Sequence, residues 1–340
     1  MARTVSALLW PAARLWSAAA RARAGLYRTG MLRQRRLTRP VVSVGNLSAG
    51  GTGKTPFVIW LFTALRQRGV RPALLTRGYR RQNTQSPWLL TQAGEAAEGA
   101  GDEVQVMLGH GVAPIAVDAD RFRAARALEA QSSGGIDLYL LDDGFQHLAL
   151  ARDLDIVLLD SSRPPWEDDL LPAGRLREPA SALARAGMIV LTRVQAWTKV
   201  EPLLEGVRRY APRAETYLAR TRLVGFRNAA SSDARPQGPE TLLAFAGVGS
   251  PEAFFADLCV AGFKVVATAP FPDHHRYSGR DLRRLERRAR EVGAEALVTT
   301  EKDAANLPRQ GAVGVPLRIV EMDLDVERGA DLVACVQRLV

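Results

Sequence analysis

GNLSAGGTGKTP, Gly45 to Pro56, decides how the rest of the chain is read. It approaches the phosphate-binding pattern of a Gly, four residues, then Gly-Lys-Ser/Thr, but Ser48 stands where the first Gly belongs. Its surroundings are those the motif needs. A β-branched run, VVSV (41 to 44), leads in as a strand, and an apolar-periodic segment from Thr55 to Arg68 follows as a helix. Gly50, Gly51, Thr52 and Gly53 would let the backbone turn tightly enough to aim successive N–H groups at phosphate oxygens, at the positive end of the helix. Lys54 would reach the β- and γ-phosphates and Thr55 would set its hydroxyl on Mg²⁺. The chain carries 42 Arg and only four Lys, at 54, 199, 264 and 302. Where Arg is the default cation, a Lys in this loop is there for its compact ammonium.

A phosphate cradle needs acidic groups at the end of another strand. DLYLLDDGFQH supplies Asp142 and Asp143 after a run of apolar residues, with Gly144 turning the chain away, a pattern suited to a metal or its water. PALLT (72 to 76), APIAV (113 to 117), DIVLLD (155 to 160) and MIVLT (188 to 192) are further strand candidates, and Arg121 to Ala130 a further helix. Together they predict an α/β fold: a parallel sheet of the P-loop NTPase type, flanked by helices.

The first forty residues hold nine Arg and no Asp or Glu, and without those nine the formal charge of +10 falls to near zero. The body is therefore no basic nucleic-acid surface, and no nucleic-acid partner is expected. The arm SALLWPAARLWSAAARARAGLYRTG reads as an amphipathic helix with Leu8, Ala12, Leu15, Ala19, Ala22 and Leu26 on one face and Arg14, Arg21 and Arg28 on another, and it carries Trp10 and Trp16. That composition suits the interface of an anionic bilayer, and membrane lipids are the expected partner of the arm. A signal or transit peptide and a nucleic-acid arm are the competing readings. Cys259 and Cys335 stand far apart and outside metal-type spacing, which suggests neither a disulfide framework nor zinc. No run of about 20 uncharged apolar residues occurs.

The expected organisation is an arm over 1–39, a P-loop domain over 40–230 and a smaller α/β domain over 231–340, the boundary falling in the turn-forming stretch SSDARPQGP (231 to 239). The last domain is read from LLAFAGV, PEAFFADLCVAG, FKVVATA, the basic segment GRDLRRLERRAREVG and ALVTT, the charges of the basic helix being a solvated face.

The ordered motifs GNLSAGGTGKTP, TRGY (76 to 79), GDE (101 to 103), DDGFQH (142 to 147), LPAGRLREP (171 to 179), FAGVGSPEAFF (245 to 255), FPDHHRYS (271 to 278) and TTEKD (299 to 303) resemble those of the tetraacyldisaccharide 4'-kinases of Gram-negative bacteria, along nearly the whole chain. Val104 stands where Pro is common after GDE, and Phe145 where Leu is also seen; neither change removes a functional group. The resemblance implies transfer of the γ-phosphate of ATP to the 4'-hydroxyl of an acylated glucosamine disaccharide 1-phosphate, a lipid A precursor, at the cytoplasmic face of the bacterial inner membrane. It also implies a catalytic Asp102 with His274 beside it, and an active-site pair in Arg177 and Glu178. Arg177 would neutralise phosphoryl charge, and Glu178 would orient Arg177 or the metal. Arg77 and Arg121 become candidates for the 1-phosphate, while Glu301, Lys302 and Asp303 receive no role. The second domain is expected to bring His274 toward the P-loop when both substrates are present. An alternative is a membrane-recruited P-loop ATPase switch, but such loops carry a Lys where Ala49 stands here.

Overall fold

The computed structural model describes residues 2–79, 81–93, 99–131, 135–228, 241–308 and 314–340. The stretch read as a domain boundary lies outside them. The chain forms two compact units that interleave in sequence: Met1–Gly101, Met107–Arg220 and Leu324–Val340 make the first, and Asp102–Val106 with Thr221–Asp323 the second. Two pieces of chain thus belong to a unit other than the one their sequence neighbourhood suggests.

In chain order the elements are α1 (Ala2–Arg28), β1 (Val41–Asn46), α2 (Lys54–Gln67), β2 (Pro72–Thr76), β3 (Trp88–Leu90), α3 (Asp102–Gly109), β4 (Ile115–Val117), α4 (Arg121–Gln131), β5 (Leu138–Asp142), β6 (Leu154–Asp160), β7 (Met188–Thr192), α5 (Val200–Tyr210) and β8 (Glu215–Asn228). There follow β9 (Thr241–Ala246), α6 (Pro251–Val260), β10 (Lys264–Pro270), α7 (Gly279–Glu291), β11 (Ala296–Thr299), α8 (Glu301–Ala304), β12 (Leu317–Val326) and α9 (Gly329–Gln337). β8 and β12 carry the chain out of the first unit and back into it.

Strands in the first unit run in the order β8-β7-β6-β1-β5-β2-β4-β3. All neighbours are parallel except β3, which pairs antiparallel with β4. The central strands β1, β2, β5 and β7 are buried along their whole length, which is why they read as unbroken apolar runs instead of alternating ones. Parallel strands send their C-terminal loops to one edge, so the segments after β1, β2, β5, β6 and β7 share a rim. α2 is pinned by Phe57, Val58, Leu61, Phe62 and Leu65, all buried, each contributing about 1.5–3 kcal/mol and together fixing where its N-terminus points.

The second unit has the strand order β10-β9-β11-β12 in parallel, with separate cores on the two faces. Phe254, Phe255 and Leu258 of α6 pack with Leu242, Ala244 and Val298. Leu282, Leu285 and Ala289 of α7 pack with Leu243, Phe245 and Tyr277. A capping box between Ser278 and Asp281 starts α7, and its arginines 280, 283, 284, 287, 288 and 290 are exposed.

The long α1 departs from the expected face. Ala13 and Ser17 are its buried residues, whereas Leu15, at 74% exposure, and Leu26 lie outward together with Ala12, Ala19 and Ala22. The helix packs through small side chains, and its large apolar ones are left uncovered. The side chain of Leu8 lies outside those described. Among the described residues no helix is long and apolar enough to cross a membrane.

Candidate active site

The departure at Ser48 has a structural explanation. The strained turns of the loop fall on Gly50 (φ 114°) and Gly53 (φ 79°), conformations that favour glycine. Ser48 lies in extended chain, forming an antiparallel bridge with Leu176. Ala49 N donates to Arg175 O at 2.7 Å and Arg177 N to Leu47 O at 2.8 Å, so the front of the loop is held by the LPAGRLREP segment and needs no glycine there. The same pairing brings Arg177 to the loop.

Buried Asn46, at the end of β1, organises the interior of the cradle. Its amide donates to Ser48 O at 2.8 Å and to the Thr52 hydroxyl at 2.9 Å, and its carbonyl oxygen accepts from Lys54 Nζ at 3.2 Å. Thr192, closing β7, donates its hydroxyl to Thr52 O at 2.9 Å. Lys54 is thus aimed before any nucleotide arrives.

The acidic pair lies on the adjacent strand, in register: Val44 of β1 is opposite Asp142 of β5. Asp142 is buried and accepts from the hydroxyl of Thr76, the first residue of TRGY, at 2.9 Å. Asp143 has a positive φ of 47°, rare for a residue with a side chain, and its carboxylate meets Lys54 at 3.5 Å and Arg177 at 2.8 Å. Burial pushes the Asp143 carboxyl up, but the two cations outweigh it and hold the group below the ordinary carboxylate range.

Glu178 does not orient Arg177 directly, as had been expected. Both of its oxygens are taken by Arg185, at 2.8 and 3.0 Å, and one also by the Gln146 amide at 3.1 Å. Gln146 connects the parts: it donates to Asn46 O at 3.0 Å and accepts from Arg177 at 3.5 Å. With both oxygens held by Arg185 and one shared with Gln146, Glu178 acts as a buried brace of this loop. Trp16 of α1 donates its indole N–H to Arg177 O at 2.8 Å, and Arg23 donates to Gln146 O at 3.0 Å. The indole N–H of Trp16 is thereby tied to the site loop, while its ring stays half-exposed. Arg121, named with Arg77 for an anion, is buried, donates to Ala119 O and has no partner at Nε. Burial pushes its guanidinium down from the ordinary arginine value. Arg77 is exposed.

The second unit holds the other candidates. Asp102 opens α3 and accepts from Glu103 N at 3.0 Å with Oδ1. Its Oδ2 lies 2.7 Å from Nδ1 of His274, a residue at positive φ (61°) whose backbone N–H donates to Gly247 O. Burial pushes the Asp102 carboxyl up, but the hydrogen bond with His274 and the charge of Lys302 hold it below its usual range. The chain therefore brings together two groups of predicted residues, one in each unit: Lys54, Thr55, Asp142, Asp143 and Arg177 around the cradle, and Asp102 with His274.

Residues 5–339 match the sequence profile of the family described as Tetraacyldisaccharide-1-P 4'-kinase. The chain belongs to that family. It is 40% identical over 332 residues to a tetraacyldisaccharide 4'-kinase of Anaeromyxobacter sp. (strain Fw109-5), covering 94% of this chain and 87% of the relative. It is 39% identical to one from Geobacter metallireducens, covering 95% of both. A crystal structure of LpxK from Aquifex aeolicus in complex with ATP superposes with a TM-score of 0.75 at 29% identity, covering 98% of this chain and 99% of that one.

Sequence reading of this family member passed over Asn46, Gln146, Arg185, Thr192 and Lys302. Asn46 and Gln146 lay inside quoted motifs and carried a signal; Arg185 and Thr192 gave none, because their roles exist only through contacts across the sheet rim.

Proposed function

We propose that the protein transfers the γ-phosphate of ATP to the 4'-hydroxyl of tetraacyldisaccharide 1-phosphate. The observation that carries this reading is Lys54 at the N-terminus of α2, pre-aimed by Asn46 beside a carboxylate pair on the neighbouring strand, in a chain matched to the kinase family from end to end. Gly50, Gly51, Thr52 and Gly53 cradle the phosphates, Lys54 and Arg177 neutralise charge on the transferred group, and Asp102, positioned by His274, takes the proton of the acceptor hydroxyl. In-line transfer requires both centres in one turnover. Buried Arg121 and exposed Arg77 are proposed for the 1-phosphate.

A Mg²⁺ ion fits the donor chemistry of the cradle. The Thr55 hydroxyl, Asp142 and Asp143 are hard oxygen donors. Among the described residues no cluster of three His, Cys, Asp or Glu forms a cage, so such an ion would complete its shell with water and phosphate oxygens. When bound it supplies charge neutralisation at the β- and γ-phosphates.

The acceptor's acyl chains lie in a bilayer while ATP comes from water, which places the work at a membrane surface, the cytoplasmic face of the inner membrane. The uncovered face of α1, with Leu15 and Leu26 beside exposed Arg14, Arg21 and Arg28, suits it to rest there. Each basic residue near an anionic leaflet adds roughly 1 kcal/mol. Through Trp16 and Arg23 the same helix touches the loops that carry Arg177 and Gln146.

The test is transfer of labelled γ-phosphate to tetraacyldisaccharide 1-phosphate in detergent micelles with Mg²⁺, comparing the parent with Lys54→Ala and Asp102→Ala. Product from the parent, strongly reduced in both variants, is expected. ATP hydrolysis without acceptor, lost in Lys54→Ala and kept in Asp102→Ala, would overturn it in favour of an ATPase switch.

A further inference from the structure

The TTEKD motif finds its role around His274. Thr300 caps α8, and Asp303, almost fully buried, accepts from Gly247 N at 2.8 Å, from the Tyr277 hydroxyl at 2.9 Å and from the Thr300 hydroxyl at 2.7 Å. Gly247 in turn accepts the backbone N–H of His274. The short helix is therefore fastened to the backbone that carries the imidazole. From this fixed base Lys302 extends its ammonium to 3.3 Å from Nε2 of His274, 3.1 Å from an Asp273 oxygen and 3.9 Å from Oδ2 of Asp102. Asn306, one turn on, donates to both Asp102 Oδ2 and Lys302 O.

The ring stands between two carboxylates, Asp102 at Nδ1 (2.7 Å) and Asp273 near Nε2 (3.6 Å). Each carboxylate calls for an N–H on the nitrogen it faces. The ammonium changes the outcome. It has three donors and no acceptor, so the nitrogen it faces has to be the lone-pair nitrogen, and the ring proton is left on Nδ1 for Asp102. A surface pair with Asp273 alone would be worth little.

We propose that Lys302 is a positioning residue for the proton-accepting centre: it occupies the place of a proton on Nε2, keeps His274 neutral with its hydrogen on Nδ1, and so aims the Asp102 carboxylate through a neutral donor. An imidazolium in its place would tie the carboxylate into a direct ion pair and weaken it as a base. Asp102 from α3, Lys302 from α8 and Asp273 from its own loop face the ring, and Asn306, in the turn after α8, donates to Asp102 behind it. This inference rests on the reading of Asp102 as base, and its test separates the two.

The full chain contains four histidines, so ¹⁵N-histidine labelling is tractable, with the His274 signals assigned from a His274→Gln sample. At pH 7.5 the parent is expected to show a neutral ring protonated at Nδ1. Lys302→Met is expected to show a doubly protonated ring and a kcat about ten-fold or more lower, with KM for ATP unchanged, the scale typical of groups that orient a reacting residue. Lys302→Arg, which keeps a donor at Nε2, is expected to retain the parent tautomer. An unchanged His274 spectrum in Lys302→Met, or an unchanged kcat, overturns the proposal. Full activity in Asp102→Asn would instead overturn the base assignment, and the spectra would still report on Lys302.

Discussion

His147 ends the DDGFQH motif with its Nε2 buried and unpartnered. Burial, helped by the Arg121 and Arg152 charges, pushes its imidazole down to about 4 from an ordinary 6.5. Between those values the unfolded chain binds a proton that the folded chain refuses. The stability tied to this residue is therefore complete above pH 6.5 and declines as the pH falls toward 4, by up to about 3 kcal/mol. Urea unfolding at pH 7 and pH 5 should show the decline, and His147→Gln should flatten it. The carboxylates held low, Asp102 and Asp143, act in a different window: their contribution is present above an unfolded value near 4 and lost below it. At this scale the sequence was legible wherever a motif names its own chemistry, as Lys54 and Asp142 do. His274 was legible only through the family resemblance and Lys302 not at all, because they meet Asp102 from 172 and 200 residues away along the chain.

Among elements, β2 and β7 match their expected bounds residue for residue, because fully buried parallel strands are simple apolar runs. α3 was hidden: DEVQVMLG is short and follows Gly101, and Gly-Asp reads as turn chemistry. β8, ETYLARTRLVGFRN, was missed because its Arg-rich alternation dilutes the apolar signal. β1 offers a sharper test. A Cβ on Gly45 would lie 2.8 Å from Phe145 N and 2.7 Å from Phe145 Cβ, the backbone that delivers Asp143. Gly45→Ala should cost about 1–3 kcal/mol in chemical denaturation, as overpacking does. In α1, Leu15→Glu with Leu26→Glu should reduce binding to anionic vesicles several-fold while ATP affinity measured in solution stays at the parent value, since neither side chain is among the helix's contacts to the site loops.

For the molecule as a whole, the distribution of tryptophan gives a handle. All six, Trp10, Trp16, Trp60, Trp88, Trp166 and Trp197, belong to the first unit. Intrinsic fluorescence therefore follows that unit alone, while far-UV circular dichroism follows both. ATP at 100 times its Kd should stabilise the fluorescence-detected transition by about 2.7 kcal/mol, and Lys54→Ala should remove the gain. An ATP shift that persists in Lys54→Ala would place the nucleotide away from the cradle.

The four lysines divide evenly. Lys199 and Lys264 are exposed, whereas Lys54 and Lys302 are half-buried and paired with carboxylates, one in each unit. In a chain whose other basic side chains are guanidinium groups, amine chemistry becomes a site-selective reporter. A mild acylating reagent should modify two positions quickly, so that they can carry a dye or a surface tether at no cost to turnover. The remaining two should react slowly, and bound ATP should shield Lys54. Peptide mass mapping over time would then read the occupancy of the nucleotide cradle and the exposure of Lys302 separately, in a single unmodified protein.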